Sequence, residues 1–391
     1  MEGDFIKIND WLLPLSWIYG AGVRLRNQMF EMGMLKSRSF DIPVISVGNI
    51  TVGGSGKTPH VEYLINLLRD KVKVAVLSRG YKRKSKGYML ATADTPMSDI
   101  GDEPYQMKKK FADIYVAVDK DRCHGIDQLT ANEETSDTDV ILLDDAYQHR
   151  YVKPGVNILL VDYHRLIMYD KLLPAGRLRE PQKGKARADI VIVSKCPAEL
   201  KPMEFRVITK AMNLFPYQKL YFTTLKYGSL RPIYGGEDRK LDTLTGDTSI
   251  LLLTGIASPQ QIIVDLKPYT ERITPLTFPD HHQYTDADID RINAEFEAMK
   301  GNDKMIVTTE KDNARLCGME GLSDEVKKNI YVLPVEVGFM LDQEEDFNEN
   351  IIGYVRKNSR NSILAKAKDD NKSDNSDNSG NRTRTISFRN N

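Results

Sequence analysis

The run Val47-Gly48-Asn49-Ile50-Thr51-Val52-Gly53-Gly54-Ser55-Gly56-Lys57-Thr58-Pro59 carries the residue types of a nucleotide phosphate site. Glycines let a backbone wrap close to phosphate oxygens with its N–H groups turned inward. Thr51, Val52, Gly53, Gly54, Ser55 and Gly56 form such a cradle. Lys57 would reach the β- and γ-phosphates of a nucleotide, and the Thr58 hydroxyl would hold Mg²⁺. Thr51 stands where the strict spacing has glycine, and the extra glycines at 53 and 54 supply flexibility instead.

Four further sets could share that chemistry. Val140-Ile141-Leu142-Leu143-Asp144-Asp145 ends an apolar run in two carboxylates. At the carboxyl edge of a sheet they would sit beside Thr58 as metal ligands, or cap the next helix. In Gly101-Asp102-Glu103-Pro104, Pro104 starts a helix, so Asp102 reads first as a cap and second as an acceptor for a substrate hydroxyl proton. Adjacent His281 and His282 project to different sides, a weak metal signal; one of them could tune a carboxylate base or act as the base. Basic residues follow several strands: Arg79 to Lys86 around Tyr81, Arg122, and Arg177 with Arg179 before Glu180. Arginine forks match phosphate geometry, although charge runs usually only solvate a surface.

The elements that must position these groups are legible in the hydrophobic pattern. Short β-branched runs recur at Ile42–Val47, Val72–Leu77, Ile114–Val118, Val140–Leu143, Val156–Val161 and Ile190–Val193, with helix-sized segments between them. Continuous apolar character suggests strands covered on both faces, joined by right-handed crossovers into a parallel sheet. After the glycine-rich turn, Val61, Leu64, Ile65 and Leu68 keep helical spacing, and Pro59 suits a first turn. The pattern therefore predicts a phosphate-loop α/β/α domain over 36–217. A two-stranded β-ribbon is expected over 218–241, with Tyr221–Leu225 facing Arg231–Tyr234. A smaller α/β domain is expected over 242–357, with strands at Ile250–Leu253, Met305–Val307 and Ile330–Leu333. Residues 358–391 are too polar to bury a core and read as a disordered tail.

At 391 residues, 41% hydrophobic and 28% charged, the chain has the composition of a globular protein of more than one domain. Lys+Arg and Asp+Glu are each 55, which argues against a general nucleic-acid binder. Three scattered cysteines fit a reducing compartment, and no signal peptide is evident. Residues 1–35 are unusual. Both tryptophans lie in the segment WLLPLSWIYGAGV, which is followed by Arg24 and Arg26. The segment falls short of the about 20 residues needed to span a bilayer. It suits a helix in the membrane interface, and equally a helix docked on the protein's own core.

The ordered series of motifs resembles the tetraacyldisaccharide 4′-kinases, the lipid A 4′-kinases of Gram-negative bacteria. The series comprises Pro14-Leu15-Ser16, the loop above including its Thr51, Leu77-Ser78-Arg79-Gly80-Tyr81, Gly101-Asp102-Glu103-Pro104 and Asp144-Asp145-Ala146-Tyr147-Gln148-His149. It continues with Leu173-Pro174-Ala175-Gly176-Arg177-Leu178-Arg179-Glu180, Phe278-Pro279-Asp280-His281-His282 and Thr309-Glu310-Lys311-Asp312. The resemblance implies transfer of the γ-phosphate of ATP, with Mg²⁺, to the 4′-hydroxyl of tetraacyldisaccharide 1-phosphate. It implies Asp102 as base assisted by His281, Lys57 on the phosphates, and Thr58, Asp144, Asp145 and Glu180 near the metal. Tyr81, Arg122, Gln148, His149 and Arg179 resemble the family's other active-site positions. A monomer at the cytoplasmic face of the inner membrane, with no nucleic-acid partner, is expected. Arg177, Ala146-Tyr147 and Lys82 depart from the family's commoner residues without removing a chemical group.

Two rival readings share the phosphate loop. A kinase of a soluble alcohol would not need the tryptophan-rich start. A nucleotide-gated switch would tolerate loss of Asp102. The only guanine-type motif, Asn371-Lys372-Ser373-Asp374, lies inside the polar tail and follows no strand.

Overall fold

The computed structural model describes residues 8–256, 259–280, 282–301, 303–316 and 319–358. The strands are β1 Val44–Gly48, β2 Val74–Ser78, β3 Met89–Leu90, β4 Tyr115–Val118, β5 Val140–Asp144, β6 Val156–Asp162, β7 Ile190–Ser194, β8 Lys219–Tyr227, β9 Arg231–Pro232, β10 Ser249–Thr254, β11 Ile273–Thr277, β12 Lys304–Thr309, β13 Ile330–Leu333 and β14 Val335–Phe339. The helices are α1 Leu13–Glu31, α2 Lys57–Leu68, α3 Met97–Ile100, α4 Asp102–Lys110, α5 Arg122–Ala131, α6 Pro202–Met212, α7 Gln260–Leu266, α8 Asp286–Ala298, α9 Glu310–Leu316, α10 Asp324–Asn329 and α11 Glu344–Asn358.

The six apolar runs of the first half each become a strand: β1 and β2 begin two residues into the run and β4 one, while β5, β6 and β7 extend by one residue into the polar residue that follows. They assemble in the order β14-β8-β7-β6-β1-β5-β2-β4-β3. Only β3 and β14 pair antiparallel. The chain leaves β1 toward β2, returns to insert β5 between them, and then proceeds to β6 on the other side of β1. Reversal of direction at β1 opens a crevice beyond the carboxyl ends of β1 and β5, where open α/β sheets bind ligands.

Val61, Leu64, Ile65 and Leu68 of α2 are all at most 1% exposed and pack into the core on one face of this sheet. Each contributes about 1.5–3 kcal/mol relative to an exposed side chain. Phe347, Ile351 and Val355 of α11 complete the same core. The C-terminal helix and β14 thus belong to the first sheet, whereas the expectation placed 242–357 wholly in the smaller unit. The physical reason is the apolar face of α11, spaced i, i+4, i+8, which finds its cover against the larger sheet.

The expected ribbon over 218–241 also differs. Tyr221–Leu225 does not pair with Arg231–Tyr234. β8 pairs in parallel with β7 and antiparallel with β14, while β9 joins β13. The antiparallel pair of β8, nine residues long, and β14, five residues long, therefore links the two units. The second sheet has the order β11-β10-β12-β13-β9, with β9 alone antiparallel. Its meeting face with the first unit lies between α4 and α9. There Lys110 bridges Glu62 at 2.6 Å and Glu310 at 2.9 Å, and Arg231 also reaches Glu310 at 2.6 Å.

Helix α1 docks by its small residues. Ser16 Oγ donates to Leu172 O at 3.0 Å and accepts from Ala175 N at 2.9 Å, and Gly20 is buried beside them. Tyr19 Oη donates to Arg179 O at 2.8 Å. The opposite side displays Trp17 and Ile18, 71% and 72% exposed, with Trp11, Leu15 and Leu25. Among the described residues no helix is long and apolar enough to cross a membrane. Residues 359–391, which hold nearly all of the expected tail, lie outside the described residues.

Candidate active site

The phosphate loop follows β1 directly. Gly56 caps α2 with φ +78°, a left-handed conformation that strains any side chain. Its carbonyl accepts from His60 Nδ1 at 2.7 Å, and His60 Nε2 meets Thr223 Oγ1 of β8 at 3.0 Å. Burial pushes the His60 imidazole down to about 4, so it stays neutral and holds the turn by hydrogen bonds alone. Inside the loop, Asn49 Nδ2 donates to Ser55 Oγ at 2.7 Å and Ser194 Oγ donates to Ser55 O at 2.9 Å. Lys195 Nζ donates to Gly54 O, and Val52 N donates to Arg177 O at 2.8 Å. The carbonyls of Gly54, Ser55 and Gly56 are thus tied to neighbouring side chains, and the Val52 N–H is spent on Arg177 O, so the cradle falls to the N–H groups after Val52. Thr51 is buried, while Gly53 and Thr58 are half-buried at the rim.

Lys57, the first residue of α2, reaches Asp145 Oδ1 at 3.6 Å. Asp145 also accepts from Arg179 Nη1 at 3.4 Å, and the same nitrogen donates to Gln148 Oε1 at 3.3 Å. Gln148 Nε2 closes the ring by donating to Asn49 O at 2.5 Å. Burial alone would raise the Asp145 carboxyl, but Lys57 and Arg179 outweigh it and hold the group below its ordinary range. Asp145 has φ +47°, a strained conformation that aims its carboxylate back at the loop.

Asp144, the last residue of β5, is fully buried and differs in character. Ser78 Oγ donates to its Oδ2 at 3.2 Å, while its Oδ1 is buried without a hydrogen-bond partner. Burial, then Glu103 and Asp145, push its carboxyl up, against Lys57 and Arg122. The first turn of α4 lies at the same sheet edge, because Gly101 packs against Gly80 and Tyr81 of the loop that leaves β2. That turn is set by Gly101, whose φ is +89° and where a Cβ would come within 2.8 Å of Tyr81 O.

Arg122 is buried and donates Nη2 to Asp144 O at 3.2 Å and Nη1 to Asp119 O at 3.0 Å. It is thus engaged with the carbonyl ends of two strands. His149 is held neutral, down to about 4, by burial and by Arg122. Its Nε2 is a buried atom without a hydrogen-bond partner. Asp121, Cys123 and His149 carry ligand-type atoms within 4.8 Å of one another, but the cationic surroundings of Arg122, Arg26 and Arg79 oppose a metal ion there. Tyr81 is exposed at the rim.

Glu180 is buried in an ion pair with Arg187 at 2.9 Å and accepts from Asn27 of α1 at 3.5 Å. His281 lies outside the described residues. His282 bonds Asp288 at 2.9 Å, a helix-capping role within the second unit. Residues missed in the sequence include Ser78, Asn49 and Lys195, which hold carboxylate or loop, and Arg315, whose guanidinium contacts Asp102 at 2.6 Å. Ser78 and Asn49 stood inside recognised motifs, whereas nothing local marked Lys195 or Arg315.

A parallel sheet, a glycine-rich turn opening a helix with Lys-Thr, and strand-end carboxylates define a phosphate-loop nucleotide-binding α/β/α enzyme, a phosphotransferase by its relatives. The model of the tetraacyldisaccharide-1-P 4′-kinase family matches residues 8–356. A tetraacyldisaccharide 4′-kinase of Phocaeicola vulgatus is 61% identical over 93% of this chain and 99% of its own length. That of Bacteroides thetaiotaomicron is 54% identical over 93% and 98%. A crystal structure of LpxK from Aquifex aeolicus in complex with ATP matches with TM-score 0.66 and 31% identity, covering 88% of this chain and 98% of that one. The chain belongs to the tetraacyldisaccharide 4′-kinase family.

Proposed function

We propose that this enzyme transfers the γ-phosphate of ATP to the 4′-hydroxyl of tetraacyldisaccharide 1-phosphate, forming lipid IVA in lipid A biosynthesis. The observation that carries the reading is the convergence at one sheet edge of Lys57, the Asp144–Asp145 pair beside Ser78, and the acidic first turn of α4 packed on the loop after β2. The 4′-oxygen forms a bond to the γ-phosphorus, the bond from that phosphorus to the bridging oxygen breaks, and ADP leaves. The hydroxyl proton passes to Asp102, which His281 is proposed to tune. Lys57 neutralises charge on the phosphates while the loop N–H groups orient them.

The donor set fits Mg²⁺. Hard oxygen ligands are present, and the Asp144 Oδ1 is a buried acceptor without a donor. Thr58, Asp144 and Asp145 would hold the ion, with Glu180, buried in its ion pair with Arg187, near it. Mg²⁺ held there would offset the charge that gathers on the phosphates during transfer. Tyr81, Gln148, His149 and Arg179 are assigned to substrate contacts, and Arg122 to supporting the strand ends.

The lipid part of the substrate is suited by the N-terminal region. A cleft of about 720 Å³ between α1 and residues 170–187 is lined by Trp17, Leu172, Arg24, Lys171 and Lys183, a mixture of apolar and basic groups. The exposed tryptophan face of α1 beside it suits the headgroup level of the cytoplasmic leaflet. The reading is tested by transfer of labelled phosphate from ATP-Mg²⁺ to tetraacyldisaccharide 1-phosphate in detergent micelles. Label in the lipid, lost with Asp102→Ala while ATP binding persists, is expected. Lysine-dependent ATP hydrolysis without lipid labelling would move the assignment to another acceptor.

A further inference from the structure

Arg315 and Asp102 lie 213 residues apart in sequence and on different units. Arg315 Nε and Nη2 donate to the same oxygen of Asp102, Oδ2, at 2.9 and 2.6 Å. The third nitrogen points back into its own unit, where Nη1 donates to Asp312 Oδ1 and to Gly255 O, each at 3.0 Å. Asp312 is itself fixed, because its Oδ2 accepts from Gly255 N at 2.9 Å and from Thr309 Oγ1 at 2.7 Å. The side chains of Arg315 and Asp312 are both fully buried, and Asp102 is nearly so at 11%. A rigid chain thus runs from the β10 end through Asp312 and Arg315 to the first turn of α4.

We propose that Arg315 is a positioning residue for phosphoryl transfer, aiming the Asp102 carboxylate and holding it ionised from the second unit. The proposal rests on the reading of Asp102 as base. A guanidinium keeps its proton in proteins, so its charge beside the carboxylate is permanent and favours the ionised form that can accept a proton. Two donors on one oxygen also stop the carboxyl group from turning about its bond to Cβ. An ammonium would supply the charge without that fork. Orientation at this level decides rate, because small displacements of a reacting group cost large factors.

The test uses the full-length enzyme with ATP-Mg²⁺ and tetraacyldisaccharide 1-phosphate in micelles, measured from about pH 5.5 to 9. Wild type is compared with Arg315→Gln, Arg315→Lys, Asp102→Asn and the double variant Asp102→Asn/Arg315→Gln. Arg315→Gln should lower kcat by about 10²-fold, leave the KM for ATP within about twofold, and move the acid limb of kcat upward by about one pH unit. Arg315→Lys should return the acid limb while recovering only part of kcat. In the Asp102→Asn background, Arg315→Gln should change turnover no further. An unmoved acid limb in Arg315→Gln, with thermal stability alone reduced, overturns the proposal and leaves Asp102 as base. If Arg315→Gln does not fold, Arg315→Lys decides: full wild-type kcat overturns the proposal. Substantial turnover by Asp102→Asn instead removes the base reading itself.

Discussion

Lys57 Nζ lies 3.6 Å from Asp145 Oδ1, across the mouth of the phosphate loop. The cation that opens α2 and the acid that follows β5 hold one another at the place where phosphate charge would arrive. Lys57→Ala should cut phosphate transfer to the lipid by about 10²–10³-fold, the range for loss of one preorganised charge donor. It should also let the Asp145 carboxyl rise toward the ordinary range, since Lys57 is the largest influence lowering it. Transfer assays and carboxyl titration by NMR check the two halves separately.

Asp144 carries the opposite signature. Its folded-state carboxyl is raised by burial, so the native state holds a proton that the unfolded state has released. Stability then falls as pH rises from the ordinary carboxylate range through the raised value. Asp144→Asn removes that fall. In EDTA its Tm should exceed that of wild type by a few degrees at pH 8, with the gap closing by about pH 4, while phosphate transfer is lost. A gap independent of pH would show that burial of the charge is not its cause.

His60 should make the protein sensitive to acid. Its folded value, about 4, lies below the ordinary 6.5. The unfolded chain therefore takes up the proton first, and stability is lost as pH falls from about 6.5 toward 4. Between pH 7 and 5 the loss from this residue is on the order of 2 kcal/mol. His60→Gln should flatten that part of the profile in chemical denaturation. An equally steep profile would assign the acid sensitivity to other groups.

The outer face of α1 should be separable from catalysis. Replacing Ile18 and Leu25 by serine removes two large apolar side chains, 72% and 59% exposed, that do not line the cleft beside α1. Partitioning to vesicles of anionic phospholipid should weaken by at least about tenfold. Turnover on micellar substrate should stay near wild type. Unchanged sedimentation with vesicles would overturn the membrane role proposed for this helix.

The sequence by itself determined the strands of the first sheet, the phosphate loop and the α2 helix, because each is written in consecutive residues. A β-branched run, a glycine-rich turn before Lys-Thr, and apolar residues at helical spacing are local signals. It also identified Asp144, Asp145 and Arg179 as candidates, since each ends or follows such a run. Tertiary structure alone decided which strands neighbour one another. Insertion of β5 between β1 and β2 brings Asp144 to Ser78, and pairing of β8 with β14 replaces the local ribbon expected between Tyr221–Leu225 and Arg231–Tyr234. It likewise turned Glu180 to Arg187 and set Arg315 against Asp102. Such contacts form between residues far apart in the chain, where each partner has an ordinary local neighbourhood. Their energies come from burial and charge pairing that exist only after the sheets have closed, so no local spacing records them.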